Sequence, residues 1–460
     1  MLSGRNKSNK VDMCSGPIVG RLLFFTVPLI LSSVLQLLFN AADVVVVGKY
    51  AGDNSLAAVG SVVPLVNLLI SAFMGLSIGS NVLASRYRGG GDESSLSKCV
   101  HTSVLVSLIS GLILTVIGVI FAQPILVLMN SPAETLPLAS LYLRIYFIGM
   151  PASMVYNFGS AILRAVGDTK RPMYYLAVAG VVNVILNLVF VIRFHMDVAG
   201  VGLATVISQV ISAALVVRCL MGEEGALKLE IKRLSVDRDI LFRIIRIGLP
   251  ASFQGMLFSI SNVIIQSSVN SFGATVVAGN SAAMNIEGFI YVSMNAFYQA
   301  CISFVSANVG ARKHDRINKI VIRSEACVIV TGMVLGGLAY LFGHELLSIY
   351  TDSDAVISAG LIRLMYISLP YFLCGMMDVM VGGLRGLGSA VLPMIVSLVG
   401  ACGLRLLWIF TLFRLPRFHE TRYLYITYPV SWTVTFLAHV ICYIIVKKKF
   451  DRNELNKFVH

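Results

Sequence analysis

Charge is what this 460-residue chain has least of. Asp, Glu, Lys and Arg together make up 13% of it, roughly half of the about 25% usual in a soluble domain. Hydrophobic residues make up 57%, and the mean hydropathy is +0.83. A membrane-crossing helix needs roughly 20 mostly apolar residues, and twelve such stretches fill most of the length. No segment remains for a soluble domain of ordinary size, which argues against a receptor or scaffold built on one. Paired cysteines are also missing: the eight (Cys14, Cys99, Cys219, Cys301, Cys327, Cys374, Cys402, Cys442) show no C-x-x-C and no metal spacing, so they read as small packing residues. The seven histidines do not cluster in sequence, which speaks against a catalytic centre. The stretch from Met1 to Pro17 is polar and basic, with no apolar core and no small-residue cleavage site. No cleaved signal peptide is therefore expected.

The twelve spans are expected near 20–47, 58–84, 99–121, 136–160, 173–194, 198–221, 241–269, 275–304, 319–343, 357–382, 391–414 and 424–447. The net charge of +13 comes from basic residues gathered in alternate loops, so it points to a membrane face and not to nucleic acid. With the N-terminus inside, 28 of the 36 Lys and Arg fall on the inner side, from Arg5, Lys7 and Lys10 to the tail at Lys447–Lys449 and Lys457. Arg405 is read as a lone cation within a span. The bias of Lys and Arg toward the cytoplasm predicts cytoplasmic termini for a multi-pass protein of the cell membrane.

The chain repeats itself at an offset of about 220. RAVGDTKRPM (164–173) pairs with RGLGSAVLPM (385–394), LRIYFIGMP (143–151) with IRLMYISLP (362–370), Pro28 with Pro250 and Asn40 with Asn262. Six spans per half is an even number, so both halves enter from the same side. The expected fold is therefore all-α, with twelve transmembrane helices in two parallel-repeat six-helix bundles around a central cavity, a plan common among transporters. The expected parts are an N-lobe at 1–221, a charged linker at 222–240 and a C-lobe at 241–460.

Acids inside the spans are read as three: Asp43, Glu287 and Asp378. A carboxylate within a membrane helix is costly and marks a functional position. Gln36, Asn40 and Asp43 share one helix face at i, i+4 and i+7, as do Asn183 and Asn187 at i, i+4. With Asn157 and Thr205 from neighbouring spans, these groups offer the oxygens that a hard cation such as Na⁺ wants, and a desolvated Asp43 can instead carry a proton. The first half is expected to carry the ion, because Ile265 occupies the position matching Asp43. The seventh span keeps a polar stripe, Gln254, Asn262, Gln266 and Asn270. Glu287, Tyr291, Asn295 and Gln299 recur every four residues in the eighth. That anionic, aromatic face suits an organic cation. Asp378 either pairs with Arg385 near the cytoplasmic end or has a functional role, and Arg405 is expected to pair with an acid or snorkel.

NAADVVVVG (40–48), LRAVGDTKRPM (163–173) with NVILN (183–187), GLP (248–250) with Gln254, and LRGLGSAVLPM (384–394), in this order, resemble the multidrug and toxic compound extrusion family across about residues 17–446. The resemblance, to bacterial DinF- and NorM-like members, implies a monomeric antiporter without a cofactor that exports small organic cations against inward Na⁺ or H⁺. Family positions for the N-lobe cation site fall on Asp43, Asn157, Asn183, Asn187 and Thr205, with Asn187 standing where the family has Asp. NorM-like members also use an acid in the seventh helix, and this chain has none there. The nearest rival is a lipid-linked oligosaccharide flippase of the same superfamily, which commonly carries extra helices or a more basic cavity.

Overall fold

The computed structural model describes residues 10–129 and 132–459; Arg5 and Lys7, counted above among the inner basic residues, lie outside the described residues. Its helices are α1 Ile18–Tyr50, α2 Asp53–Gly90, α3 Glu93–Leu128, α4 Leu136–Ile148, α5 Met150–Ala165, α6 Lys170–Leu188, α7 Asp197–Met221, α8 Arg238–Asn270, α9 Ala274–Gly310 and α10 His314–Leu341. After them come α11 Gly343–Ser348, α12 Asp354–Arg363, α13 Phe372–Gly386, α14 Val391–Ser397, α15 Leu404–Phe410, α16 Thr421–Tyr425 and α17 Thr427–Val459. No strand occurs among the described residues. Eleven helical stretches are long and apolar enough to cross a membrane, and twelve if α4 and α5, bent 46° at Gly149, make one span.

The chain divides into two compact units. The first holds residues 10–12 and 31–252, and the second holds 13–30 and 253 onward. The division falls within α1 and α8, and the charged linker at 222–240 groups with the first unit. His101 Nε2 accepts from Glu230 N at 3.2 Å, Thr102 Oγ1 accepts from Asp237 N at 3.1 Å, and Lys98 pairs with Asp237 at 3.1 Å. Leu227 and Leu229 are buried.

In the first unit, the bend between α4 and α5 follows from Pro151. Proline has no N–H to give the carbonyl four residues back, which is Phe147 O. Thr115 Oγ1 of α3 fills that vacancy with a 2.7 Å hydrogen bond. A carbonyl without a partner in the membrane interior would cost several kcal/mol, so the threonine lets the broken span persist. α2 and α8 approach closely on small residues: a Cβ on Gly75 would lie 2.5 Å from Gly248 O.

The repeat reappears as backbone geometry. Gly167 (φ 86°) ends α5 and Gly388 (φ 96°) ends α13. Each donates to the arginine three residues back, Arg164 O at 2.9 Å and Arg385 O at 2.8 Å. A left-handed residue just past a helix end is ordinarily glycine, because a Cβ there is strained. The glycines shared by RAVGD and RGLGS are therefore helix stops. In the second unit the chain before α1 is held by its carbonyls: Met13 O accepts from Asn308 at 2.9 Å, Cys14 O from Lys313 at 2.9 Å and Ser15 O from Arg316 at 3.1 Å. The tenth span, like the fourth, is irregular at its proline. Its helix widens at Leu364–Ser368 and tightens at Leu369–Tyr371 around Pro370.

Candidate functional site

In the first unit, α1, α6 and α7 bring four of the expected groups together. Asn187 donates its amide to Asp43 Oδ1 and also to Asn183 Oδ1 at 3.3 Å. Asn183 donates to Thr205 Oγ1 at 3.5 Å, and Thr205 donates to Val201 O at 2.9 Å on its own helix. The i, i+4 spacing on α6 makes this chain possible, since both amides leave one face. Immediately beyond it, Val189–Arg193 widens to a π-helical turn, a feature frequent at functional sites. Asn183 and Asn187 are buried, and Asp43 is half-buried. Tyr142 and Tyr146 of α4 lie within its electrostatic reach.

One atom of the cluster lacks a partner. Asn187 Oδ1 is buried and accepts no hydrogen bond. A buried acceptor without a donor costs about 1–3 kcal/mol, and a cation next to Asp43 would satisfy both oxygens. Asn157 does not join the chain: its amide donates to Ser153 O of α5 at 2.8 Å. Gln36 and Asn40 lie on the same helix as Asp43 and are exposed.

The second unit encloses a cavity of about 210 Å³, lined by Asn262, Gln266, Glu287, Tyr291, Arg363, Tyr371, Tyr428 and Trp432 among others. Its charge differs from the expected anionic wall. Arg363 grips Glu287 with Nε at 3.0 Å and Nη2 at 2.7 Å, and its Nη1 donates to Asn280 Oδ1 at 2.7 Å. Both residues are buried, so the pair is neutral as a unit. The polar stripes also spend their amides internally: Gln299 donates to Asn295 at 2.8 Å, and Gln266 to Asn270 at 3.0 Å.

Three readings of the sequence are corrected here. Arg363 belongs to the membrane-spanning stretch, so Arg405 is not its lone cation. Arg385 is not paired with Asp378; it donates to Tyr298 Oη and to Gln254 Oε1, the latter at 2.8 Å. Arg405 neither meets an acid nor snorkels. It lies buried with its guanidinium carbon 4.2 Å from the Tyr428 ring centroid and 5.5 Å from that of Trp432, and Nε donates to Ser431 at 2.8 Å. Aromatic faces replace a carboxylate as its counter-group.

Glu325 of α10 is a fourth acid inside the spans. It falls within the expected 319–343 stretch, and its place two residues from Arg323 and six from Lys319 disguised it as part of a basic loop. Arg363 was missed for a related reason. It lies at the margin of its stretch, and only its spatial meeting with Glu287, 76 residues away in sequence, shows that it belongs inside.

Long apolar helices in two sequence-related units, each closing ionisable and amide groups inside itself, define a polytopic membrane transporter. The MatE family profile matches residues 28–189 and again 250–411, one stretch in each repeat, and the chain belongs to that multidrug and toxic compound extrusion family. It is 30% identical over 445 residues to the "Probable multidrug resistance protein YoeA" of Bacillus subtilis (strain 168), covering 95% of this chain and 96% of that protein. It is 21% identical to the multidrug export protein MepA of Staphylococcus aureus (strain N315), over 74% of this chain and 75% of MepA. In fold it is similar to a multidrug resistance MATE family transporter of the MOP superfamily solved in an outward-facing conformation. The TM-score there is 0.88 at 21% identity, over 97% of this chain and 99% of the other. It is therefore a multidrug efflux transporter in general class.

Proposed function

We propose that this chain is a secondary antiporter of the cell membrane that exports amphipathic organic cations in exchange for Na⁺ or H⁺, with Asp43 as the coupling group. The observation that carries the reading is the hydrogen-bonded chain Asp43–Asn187–Asn183–Thr205, within which the buried Asn187 oxygen beside Asp43 has no donor. Asp43 supplies the charge, Asn187 and Asn183 orient it and supply amide oxygens, and Thr205 fixes Asn183 from the next helix. The ion drives transport only if it favours one conformational state over the other, because a ligand shifts an equilibrium by its differential affinity alone. Neutralising Asp43 is the step that differs between states. For cargo, the cavity in the second unit offers ring faces at Tyr291 and Tyr371 beside a neutral ion pair, so attraction for a cation there comes from the rings and not from net charge. The basic residues of the inner loops support cytoplasmic termini, and the reading takes the protein as a monomer.

The test is uptake of a fluorescent organic cation into proteoliposomes under separately imposed Na⁺ and pH gradients. Acceleration by one gradient supports exchange. Equal uptake with no gradient contradicts it.

A further inference from the structure

A pair of acids, Glu325 and Asp378, lies in the second unit, away from Asp43 and its hydrogen-bonded chain. α10 and α13 run antiparallel, and their small residues fix the register. A Cβ on Gly383 would lie 3.1 Å from Val321 Cγ2, one on Gly375 2.6 Å from Val328 Cγ2, and one on Gly332 2.7 Å from Phe372 Cβ. Each contact pairs residues whose numbers rise on one helix as they fall on the other, and this places Glu325 level with Asp378 and Val379. The same stretch of α13 meets α9, where a Cβ on Gly382 would lie 2.9 Å from Tyr298 O and 3.4 Å from Cys301 Cβ. Glu325 and Asp378 therefore share a junction of three helices.

Both Glu325 carboxyl oxygens are buried there, and neither has a hydrogen-bond partner. The Asp378 charge acts on Glu325. Tyr291, Tyr298 and Cys301 of α9 and Cys374 and Arg385 of α13 lie within electrostatic reach of one acid or the other, and Tyr443 and His439 stand beyond on α17. The one cation among them, Arg385, gives hydrogen bonds to Tyr298 and Gln254. Two carboxylates side by side out of water cannot both ionise, and one of them keeps a proton. A sodium ion would need several oxygen ligands around it, whereas the Glu325 oxygens have the Asp378 carboxylate as neighbour and no hydrogen-bond partner. Among the described residues there is also no cluster of three or more His, Cys, Asp or Glu able to hold a metal ion.

We propose that Glu325 and Asp378 form a proton-binding site in the second unit, holding one exchangeable proton between them at neutral pH. This goes beyond the exchange reading and does not rest on Asp43. It gives the second unit a titratable centre of its own where the seventh span has no acid.

The experiment is infrared difference spectroscopy of the C=O stretch of protonated carboxylic acids, with purified protein in the Asp43→Asn background, titrated through neutral pH in H₂O and D₂O. The expected result is a deuterium-sensitive carboxylic-acid band at neutral pH. Glu325→Gln and Asp378→Asn each change its frequency or amplitude, because each removes one of the two groups that share the proton. If Glu325→Gln fails to fold by size exclusion, Glu325→Asp takes its place, and a frequency shift of the band is expected. A band indifferent to these substitutions overturns the proposal, as does its absence at neutral pH. Binding of ²²Na⁺ to the Asp43→Asn protein that disappears with Glu325→Gln overturns it in favour of a sodium site. Because Asp43 is already replaced, none of these outcomes bears on the exchange mechanism.

Discussion

Arg363 holds both oxygens of Glu287, Nε on Oε1 at 3.0 Å and Nη2 on Oε2 at 2.7 Å, deep within the second unit. The grip turns two costly charges into one neutral, rigid element that ties α9 to α12. Tyr425 Oη extends it through Asn280 Oδ1 at 3.3 Å.

Removing one partner of a buried pair strands the other. Glu287→Gln and Arg363→Met are each expected to destabilise the protein by about 3–5 kcal/mol. The double variant should lose much less than the sum, because neither charge is left alone. Thermal unfolding of the four proteins in detergent measures this, and additive losses would show that the two residues do not act together.

Thr115 is expected to matter for its hydroxyl alone. Thr115→Val keeps the shape but leaves Phe147 O without its donor above Pro151, at a cost of about 1–3 kcal/mol. Thr115→Ser should recover most of the loss in the same melting assay. Equal melting of Val and Ser variants would mean that the carbonyl finds another partner.

A pH effect is expected at the end of α7, outside the membrane-spanning segments. Burial alone would push the Glu223 carboxyl up. The hydrogen bonds and charges of Lys10 (2.7 Å) and Arg171 (2.6 Å) outweigh burial and hold it below the usual carboxylate range. A carboxyl depressed in the folded state binds its proton more weakly there than in the unfolded chain. Its stabilisation is therefore complete above the unfolded value near 4.5 and fades as pH falls toward the folded one. Melting temperature should drop across that acid window in the native chain and drop less in Glu223→Gln; parallel curves would contradict this.

Asn187→Asp places a second carboxylate beside Asp43. Two such neighbours cannot both be ionised in a dry site, so the variant should retain a proton and respond more to a pH gradient and less to a Na⁺ gradient. Transport in proteoliposomes under each gradient alone reads the shift, and an unchanged preference would remove Asn187 from the ion's surroundings.

Much of the fold was legible because hydropathy and the 220-residue repeat act over long stretches. Lipid forces every apolar span into a helix whatever its details. The N-lobe chain was partly legible for a local reason: Asn183 and Asn187 share a face by spacing alone, and α1 and α7 had only to pack beside it. What stayed hidden depended on partners distant in sequence. Nothing near Glu287 announces Arg363, and nothing near Arg405 announces that Tyr428 and Trp432 will stack on it. Glu325 was hidden by neighbouring charges in the sequence that the helix turns to other faces. The linker, whose charged composition marks it as a connection, folds onto the first unit, where the Glu230 and Asp237 amides bind His101 and Thr102 of α3.

The central claim rests on Asp43, and Asp43→Asn tests it most directly. In proteoliposomes carrying equal amounts of native and variant protein, export of a fluorescent organic cation is followed as a Na⁺ or pH gradient is imposed. The account predicts that the gradient-driven part of the rate falls to that of protein-free liposomes in the variant, while the melting temperature stays close to native. An Asp43→Asn protein that still accelerates under the gradient as the native protein does would contradict it.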